Sequence, residues 1–280
     1  MKSLLRPVAL LPLPLLHLLG GVLGWIVYFL SARFRKHLRQ NLELAGYRDA
    51  HMRRAAIVES GKGLLELSAM WLRPQAVVAG WVKELRDEHV LLDAERAGGG
   101  VLIVTPHLGC FEIIAQWMAR RGPFTALYRP PRMAALEPLM LAGRERDRLT
   151  TATTDIRGVR VMLKALKSRQ AAGLLPDQVP GTGEGEWADF FGRPAYTMTL
   201  ATRLAEASGA TIVLVCAERL PRGRGYRLHF ASMPERDAGE SSARWVNRAV
   251  EMLVRRCPEQ YLWAYNRYKV PAGVQPPKTD

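Results

Sequence analysis

Gly99 to Arg121, GGVLIVTPHLGCFEIIAQWMARR, constrains the fold more than any other stretch. Behind Gly98–Gly100, Val101 to Thr105 is a β-branched and aliphatic run of the kind that forms a strand buried on both faces. Cys110 to Arg121 carries Phe111, Ile114, Ala115 and Met118 at helical spacing and stops at Gly122-Pro123. His107 therefore stands at the carboxyl end of a strand, just ahead of a helix whose first turn holds Glu112. Open α/β sheets bind ligands at such strand ends. Five residues apart in one helix, the two side chains would diverge by about 140°. With His107 outside the helix the chain can fold back and join imidazole to carboxylate, as a general base held by an acid requires. A helix cap or a satisfied buried histidine is the plainer reading of the same two residues.

The remaining strands and helices alternate. Asn41 to Leu72 reads as one helix stopped by Pro74, and Val77 to Ala97 as a short strand and helix. Phe124 to Tyr128 is a strand, followed by helical stretches at Leu136 to Arg148 and Val159 to Arg169. Ala172 to Leu175 is a third strand, ending in Pro176-Asp177-Gln178. Thr199 to Ser208 is a helix, Thr211 to Ala217 a strand, Tyr226 to Ser232 its hairpin partner, and Ser241 to Arg256 a helix. Such alternation specifies an α/β fold, a mostly parallel central sheet flanked by helices. Three strands deliver a polar residue at their carboxyl ends: His107, Arg129 and Asp177.

Between Arg6 and Arg33 the chain has no formally charged residue. Leu15 to Ala32 makes a helix of roughly 27 Å, against a hydrocarbon core of about 30 Å. Trp25 and Tyr28 suit an interface, and Arg33, Arg35, Lys36 and Arg39 follow at once. Without a small-x-small cleavage site, this reads as an uncleaved membrane anchor with the following domain in the cytoplasm. The expected organisation is an anchor with basic flank at 1–40 and a domain at 41–280, with a helical lead-in at 41–98 and an α/β core at 99–280.

Forty Lys and Arg against 26 Asp and Glu give a net charge of +14, which calls for an anionic partner. Arg144, Arg146, Arg148, Arg157 and Arg160 concentrate that charge. As a group they suit phosphate, which guanidinium binds bidentately; taken singly, each also fits a solvated helix face. Aromatics are not interleaved with them and no helix-turn-helix or zinc-finger spacing occurs, so nucleic acid is the weaker use of the charge. Three scattered cysteines (Cys110, Cys216, Cys257) argue against a disulfide framework or a cysteine zinc site. No G-x-S-x-G elbow is present. Gly181 to Gly185 lacks dinucleotide-binding spacing and reads as a flexible loop. Cys110 reads as a small buried apolar group rather than a nucleophile.

His107-Leu108-Gly109-Cys110-Phe111-Glu112 matches the His-x4-Asp/Glu motif of the lysophospholipid acyltransferase superfamily. With Tyr128-Arg129-Pro130, Pro176-Asp177-Gln178 plus Phe190-Phe191-Gly192, and Gln260-Tyr261-Leu262-Trp263 continuing to Lys269, the chain resembles the late (lauroyl and myristoyl) acyltransferases of lipid A biosynthesis. Phe111 stands where that branch often has Trp. Pro176-Asp177-Gln178 replaces the Glu-Gly-Thr block of the phospholipid branch and disfavours glycerol-phosphate acceptors.

The resemblance implies a glycerolphosphate-acyltransferase-like fold and a membrane-bound O-acyltransferase. Its donor would be a thioester of acyl carrier protein or coenzyme A, its acceptor a hydroxyl of an anionic lipid A precursor. No cofactor, metal or covalent intermediate is expected. His107 would be the base and Glu112 its partner. Arg129, Arg144 and Arg160 would bind acceptor phosphates or the acidic carrier protein. Asp177 would contact sugar hydroxyls or brace an arginine, and Arg267 would bind phosphate or serve a structural ion pair. The implied location is the inner membrane, with the catalytic domain on its cytoplasmic face. Two other readings compete: a related enzyme acting on another glycolipid, aminolipid or pigment precursor, and a non-catalytic, membrane-tethered protein that binds anionic lipid.

Overall fold

The computed structural model describes residues 2–131 and 133–277; the two ends of the expected domain ranges, residue 1 and residues 278–280, lie outside them. The chain opens with α1 (Lys2–Ala9), α2 (Leu13–Leu30), α3 (Ala32–Leu44), α4 (Ala50–Leu72) and α5 (Gln75–Ala79). Then follow β1 (Val82–Arg86), α6 (His89–Arg96), β2 (Val101–Val104), α7 (Phe111–Arg121), β3 (Phe124–Tyr128), α8 (Glu137–Arg144) and β4 (Leu149–Thr153). The carboxyl half holds α9 (Ile156–Lys167), β5 (Ala171–Leu174), β6 (Gly185–Phe190), β7 (Arg193–Met198), α10 (Leu200–Ser208), β8 (Thr211–Arg219), β9 (Tyr226–Ser232) and α11 (Ser242–Val254).

Seven strands form one sheet in the order β1-β9-β8-β2-β5-β3-β4. The β8–β9 pair is antiparallel and the other neighbours are parallel. The mostly parallel sheet read from the alternation is therefore the fold. Its centre, β2, is buried along its whole length, as a strand with helices on both faces must be. One core packs α9, α10 and α11 on one side of the sheet; a second packs α5, α6 and α7 on the other.

Four local expectations change. The helix read over 41–72 is broken at 45–49, where Gly46 takes φ +88° and Asp49 starts a new helix by accepting the Met52 amide at 2.7 Å. The helix read to Arg148 ends at Arg144, and Leu149 to Thr153 becomes the edge strand β4. After the Gly181–Gly185 segment, β6 and β7 make a separate antiparallel hairpin turning at Phe191-Gly192, both with positive φ. The sheet also starts before residue 99, because β1 pairs with β9.

The apolar helix α2 is not a free rod. Gly20 and Gly24 meet Gly61 of α4 so closely that a Cβ on Gly24 would stand 2.2 Å from the Ile57 carbonyl oxygen, and one on Gly61 2.1 Å from that of Gly20. Its other face, including Leu18, Val22, Ile26, Phe29 and Leu30, is exposed.

Candidate active site

Strand β2 ends at Val104 and its neighbour β5 ends at Leu174, and these two residues are register partners. Three residues further along each chain stand His107 and Asp177, side by side because the strands are parallel and adjacent. The Asp177 carboxylate accepts twice from His107: the backbone amide donates at 2.9 Å to one oxygen, and ring Nδ1 lies 2.8 Å from the other. A carboxylate only accepts, so Nδ1 carries the proton and Nε2 presents its lone pair outward. That lone pair faces the Gln178 side-chain amide at 3.1 Å. Asp177 is 3% exposed. Burial pushes its carboxyl up, but the facing imidazole and the two hydrogen bonds from His107 outweigh it and hold the group below its ordinary value. Asp177 is therefore charged at neutral pH.

The loop between β2 and α7 is held at His107, Gly109 and Cys110 by its neighbours. Leu262 donates its amide to the His107 carbonyl at 3.0 Å, the Gly109 amide donates to the Gln260 carbonyl at 3.1 Å, and the Cys110 amide to the Ala217 carbonyl at 2.9 Å. Gly109 has φ +60°, and a Cβ there would stand 1.8 Å from the Ala217 oxygen, so only glycine fits. The 260–262 block thus serves the site by lacing this loop to β8.

Glu112 departs from the role read for it. Buried in the first turn of α7, it accepts from Arg144 Nε and Nη2, both at 2.6 Å, and from Trp71 Nε1 at 3.1 Å. Among the described residues its carboxylate makes no hydrogen bond to His107; a two-pronged guanidinium has captured it. Burial raises the Glu112 carboxyl, but Arg144 chiefly, with Trp71 and Arg146, brings it below its ordinary value. The acid that orients His107 is Asp177.

Beside Phe111, whose ring centroid is 4.8 Å from that of His107, a narrow hollow of about 40 Å³ runs between α7 and the sheet. Ile103, Ala115, Phe124, Ala126 and Gly173 line it, with Glu112 and Arg144 in its wall.

The other expected binding residues are dispersed. Arg129 is exposed at the end of β3, near enough to Tyr265 for its charge to act on that phenol. Arg160 is exposed on α9. Arg144 belongs to the Glu112 pair, and Arg146 turns inward to the backbone carbonyls of Arg73 and Met70. Arg267 is buried and donates to the Tyr196 carbonyl, Thr197 Oγ1 and Asn247 Oδ1. It knits β7 to α11. Cys110 is buried, and burial first, with Glu66 adding to it, pushes its thiol well above the ordinary range. A thiol so raised is a poor nucleophile.

Comparison with known proteins decides the family. The model of the bacterial lipid A biosynthesis acyltransferases matches residues 2–270. The chain belongs to this family. The lipid A biosynthesis lauroyltransferase of Escherichia coli K12 is 31% identical over 274 residues, covering 94% of this chain and 89% of the relative. The palmitoleoyltransferase of the same organism is 30% identical, covering 94% and 88%. The Escherichia coli K12 myristoyltransferase is 26% identical over 68% of this chain. As a member the chain is an O-acyltransferase of lipid A biosynthesis.

Proposed function

We propose that this chain transfers a fatty acyl group from a thioester, on acyl carrier protein or coenzyme A, to a hydroxyl of a lipid A precursor at the membrane. The observation that carries the reading is the His107 imidazole, its Nδ1 held by buried Asp177, just beyond the carboxyl ends of β2 and β5. Nε2 takes the proton of the acceptor hydroxyl as its oxygen attacks the thioester carbonyl, once Gln178 yields its place. Asp177 stabilises the imidazolium so formed. Collapse of the tetrahedral intermediate expels the thiolate, which recovers the proton from His107, and the acyl-oxygen bond replaces the acyl-sulfur bond. The amino end of α7 and Arg144, fixed by Glu112, face the charge that develops on the carbonyl oxygen. No cofactor enters this scheme.

The exposed apolar face of α2 seats the protein in the bilayer, with the basic start of α3 at the headgroups. The inner membrane, with the domain on its cytoplasmic face, fits that polarity. The acidic carrier protein suits the positive surface, Arg129 and Arg160 included.

Purified full-length protein incubated with lauroyl-acyl carrier protein or lauroyl-coenzyme A and a lipid A precursor, read by mass spectrometry, tests this. A precursor heavier by one acyl group is expected, and His107→Ala should lower the rate by about 10²–10⁴-fold. Near-parental turnover by folded His107→Ala overturns the assignment.

A further inference from the structure

The densest buried charge outside the His107–Asp177 pair lies on the other flank of the same loop. Glu66 of α4, 1% exposed, accepts from Arg219 Nε at 2.8 Å and from the Tyr226 hydroxyl at 2.8 Å, and lies 2.6 Å from Nε2 of His17. His17 is itself buried, and it belongs to the otherwise apolar helix α2. Arg219, at the end of β8, donates through Nη2 to the Gly109 carbonyl at 2.8 Å. Its own backbone is held from both sides by Gln260, whose carbonyl receives the Gly109 amide. Arg219 and Gln260 therefore grip Gly109 at C=O and N–H, two residues beyond His107. Gly63 of α4 leaves the space the guanidinium needs: a Cβ there would stand 2.8 Å from Nη2.

Burial pushes the Glu66 carboxyl up, but Arg219, His17 and Tyr226 prevail and hold it at about 2. Apolar side chains of the same shape stabilise an interior at least as well as a buried ion pair does. What an apolar replacement cannot supply is a directed donor to the Gly109 carbonyl.

We propose that Arg219 is a positioning residue for acyl transfer. It sets the His107 loop through the Gly109 carbonyl, and His17 ties the seating of α2 to that loop through Glu66. The proposal rests on His107 being the base. When α2 is seated, His17 and Tyr226 share Glu66 with Arg219, and Nη2 stays on Gly109. When α2 is displaced, Glu66 and Glu59 (3.4 Å from Nη1) draw the guanidinium to themselves. The Gly109 carbonyl is released and His107 loses its line to the substrate. Turnover thus requires the apolar helix in place, although that helix contributes no group to the chemistry.

The test uses the full chain in lipid nanodiscs, with lauroyl-acyl carrier protein and a lipid A precursor. Gly63→Ala is the decisive variant: alanine favours the helix it enters, so the fold is retained while the added methyl displaces Nη2. Arg219→Lys and His17→Leu accompany it. Gly63→Ala and Arg219→Lys should lower kcat by about tenfold or more, with KM for both substrates within about twofold and, for Gly63→Ala, a single cooperative melting transition retained. His17→Leu should lower kcat in the same direction with KM likewise unmoved. Parental kcat in folded Gly63→Ala, or a loss that appears only in KM, overturns the brace. His107→Ala run in parallel separates the two failures. If it is active, the base assignment falls and the proposal with it; if it is inactive while the three variants are at full rate, the brace alone falls.

Discussion

Both ring nitrogens of His107 are engaged, and the two engagements differ in kind. Asp177 is buried, charged and anchored twice, so it fixes the tautomer; Gln178 is a neutral, partly exposed amide that a hydroxyl can displace. Asp177→Asn keeps the shape but can present an N–H to Nδ1, which favours the wrong tautomer. A loss in kcat of roughly 10²–10⁴-fold is expected with the fold intact; a loss under about threefold would remove Asp177 from the mechanism. Glu112→Gln should behave differently, because it leaves the Arg144 guanidinium buried and half-paired. Such a break costs about 3–5 kcal/mol, so its activity loss should come with a clear fall in thermal midpoint. Cys110→Ala should retain most of the turnover, in keeping with a buried thiol whose ionisation is suppressed. Glu66 adds a pH signature. Its folded-state value of about 2 lies below the ordinary 4.5. It therefore contributes stability that is present above about pH 4.5 and lost as pH falls towards 2, of order 3 kcal/mol. Denaturant unfolding of the protein and of Glu66→Gln should show a stability gap that narrows between pH 5 and 3, and a gap constant with pH would contradict that.

At the scale of elements, α2 and α4 meet through glycine backbones, and this contact brings His17 to Glu66. Gly61→Val would drive its Cβ into the Gly20 carbonyl and the Gly24 backbone. Since overpacking costs typically 1–3 kcal/mol, the variant should show a lowered melting temperature and faster proteolysis between α2 and α3; resistance equal to the parent would mean that the helices do not depend on this contact. Gly20, Gly21 and Gly24 are visible in the sequence, but glycine in an apolar helix does not say which helix it faces. The same limit explains the site. Closeness along the chain suggests His107 and Glu112 as a pair, but Glu112 goes to Arg144, whereas Asp177 meets the imidazole because β5 lies next to β2, an adjacency hidden by the intervening β3 and β4. Asp177 was recognised as a polar residue at a strand end, and only strand order turns it towards the imidazole. Buried strands β2, β3, β5 and β8 were legible from unbroken apolar and β-branched runs. Edge strand β4 was not: Leu149-Thr150-Thr151-Ala152-Thr153 is largely polar, as an edge that meets solvent can be, and it directly follows a helical, arginine-rich run. The β6–β7 hairpin was hidden by the glycines before it and by Pro194, a residue that pairs only at edges or bulges.

Across the whole molecule, the groups proposed for catalysis and those proposed for membrane seating share one end of the sheet. His107, Asp177 and Gln178 follow the carboxyl ends of β2 and β5, and the loop they serve is joined to α2 through Arg219, Glu66 and His17. A lipid acceptor held in a bilayer at α2 would therefore find the imidazole near the surface from which it comes. The outer face of α2 is the proposed apolar contact, with Phe29 69% and Leu30 83% exposed, and the exposed Arg33, Lys36 and Arg39 of α3 follow directly. Each basic side chain near an anionic surface contributes about 1 kcal/mol. Replacing these three by glutamine should weaken binding to vesicles containing anionic lipid by about 10²-fold at low salt. Binding to purely zwitterionic vesicles, which rests on the apolar face, should change by less than about threefold. The parent's affinity for anionic vesicles should fall as salt rises, and that of the triple variant should fall less steeply, because the Debye length shrinks from about 10 Å at 0.1 M to 3 Å at 1 M. Vesicle flotation across a salt series measures both slopes. Equal slopes would assign the excess positive charge to another partner, for which the carrier protein, acidic and delivered from solution, is the next to titrate.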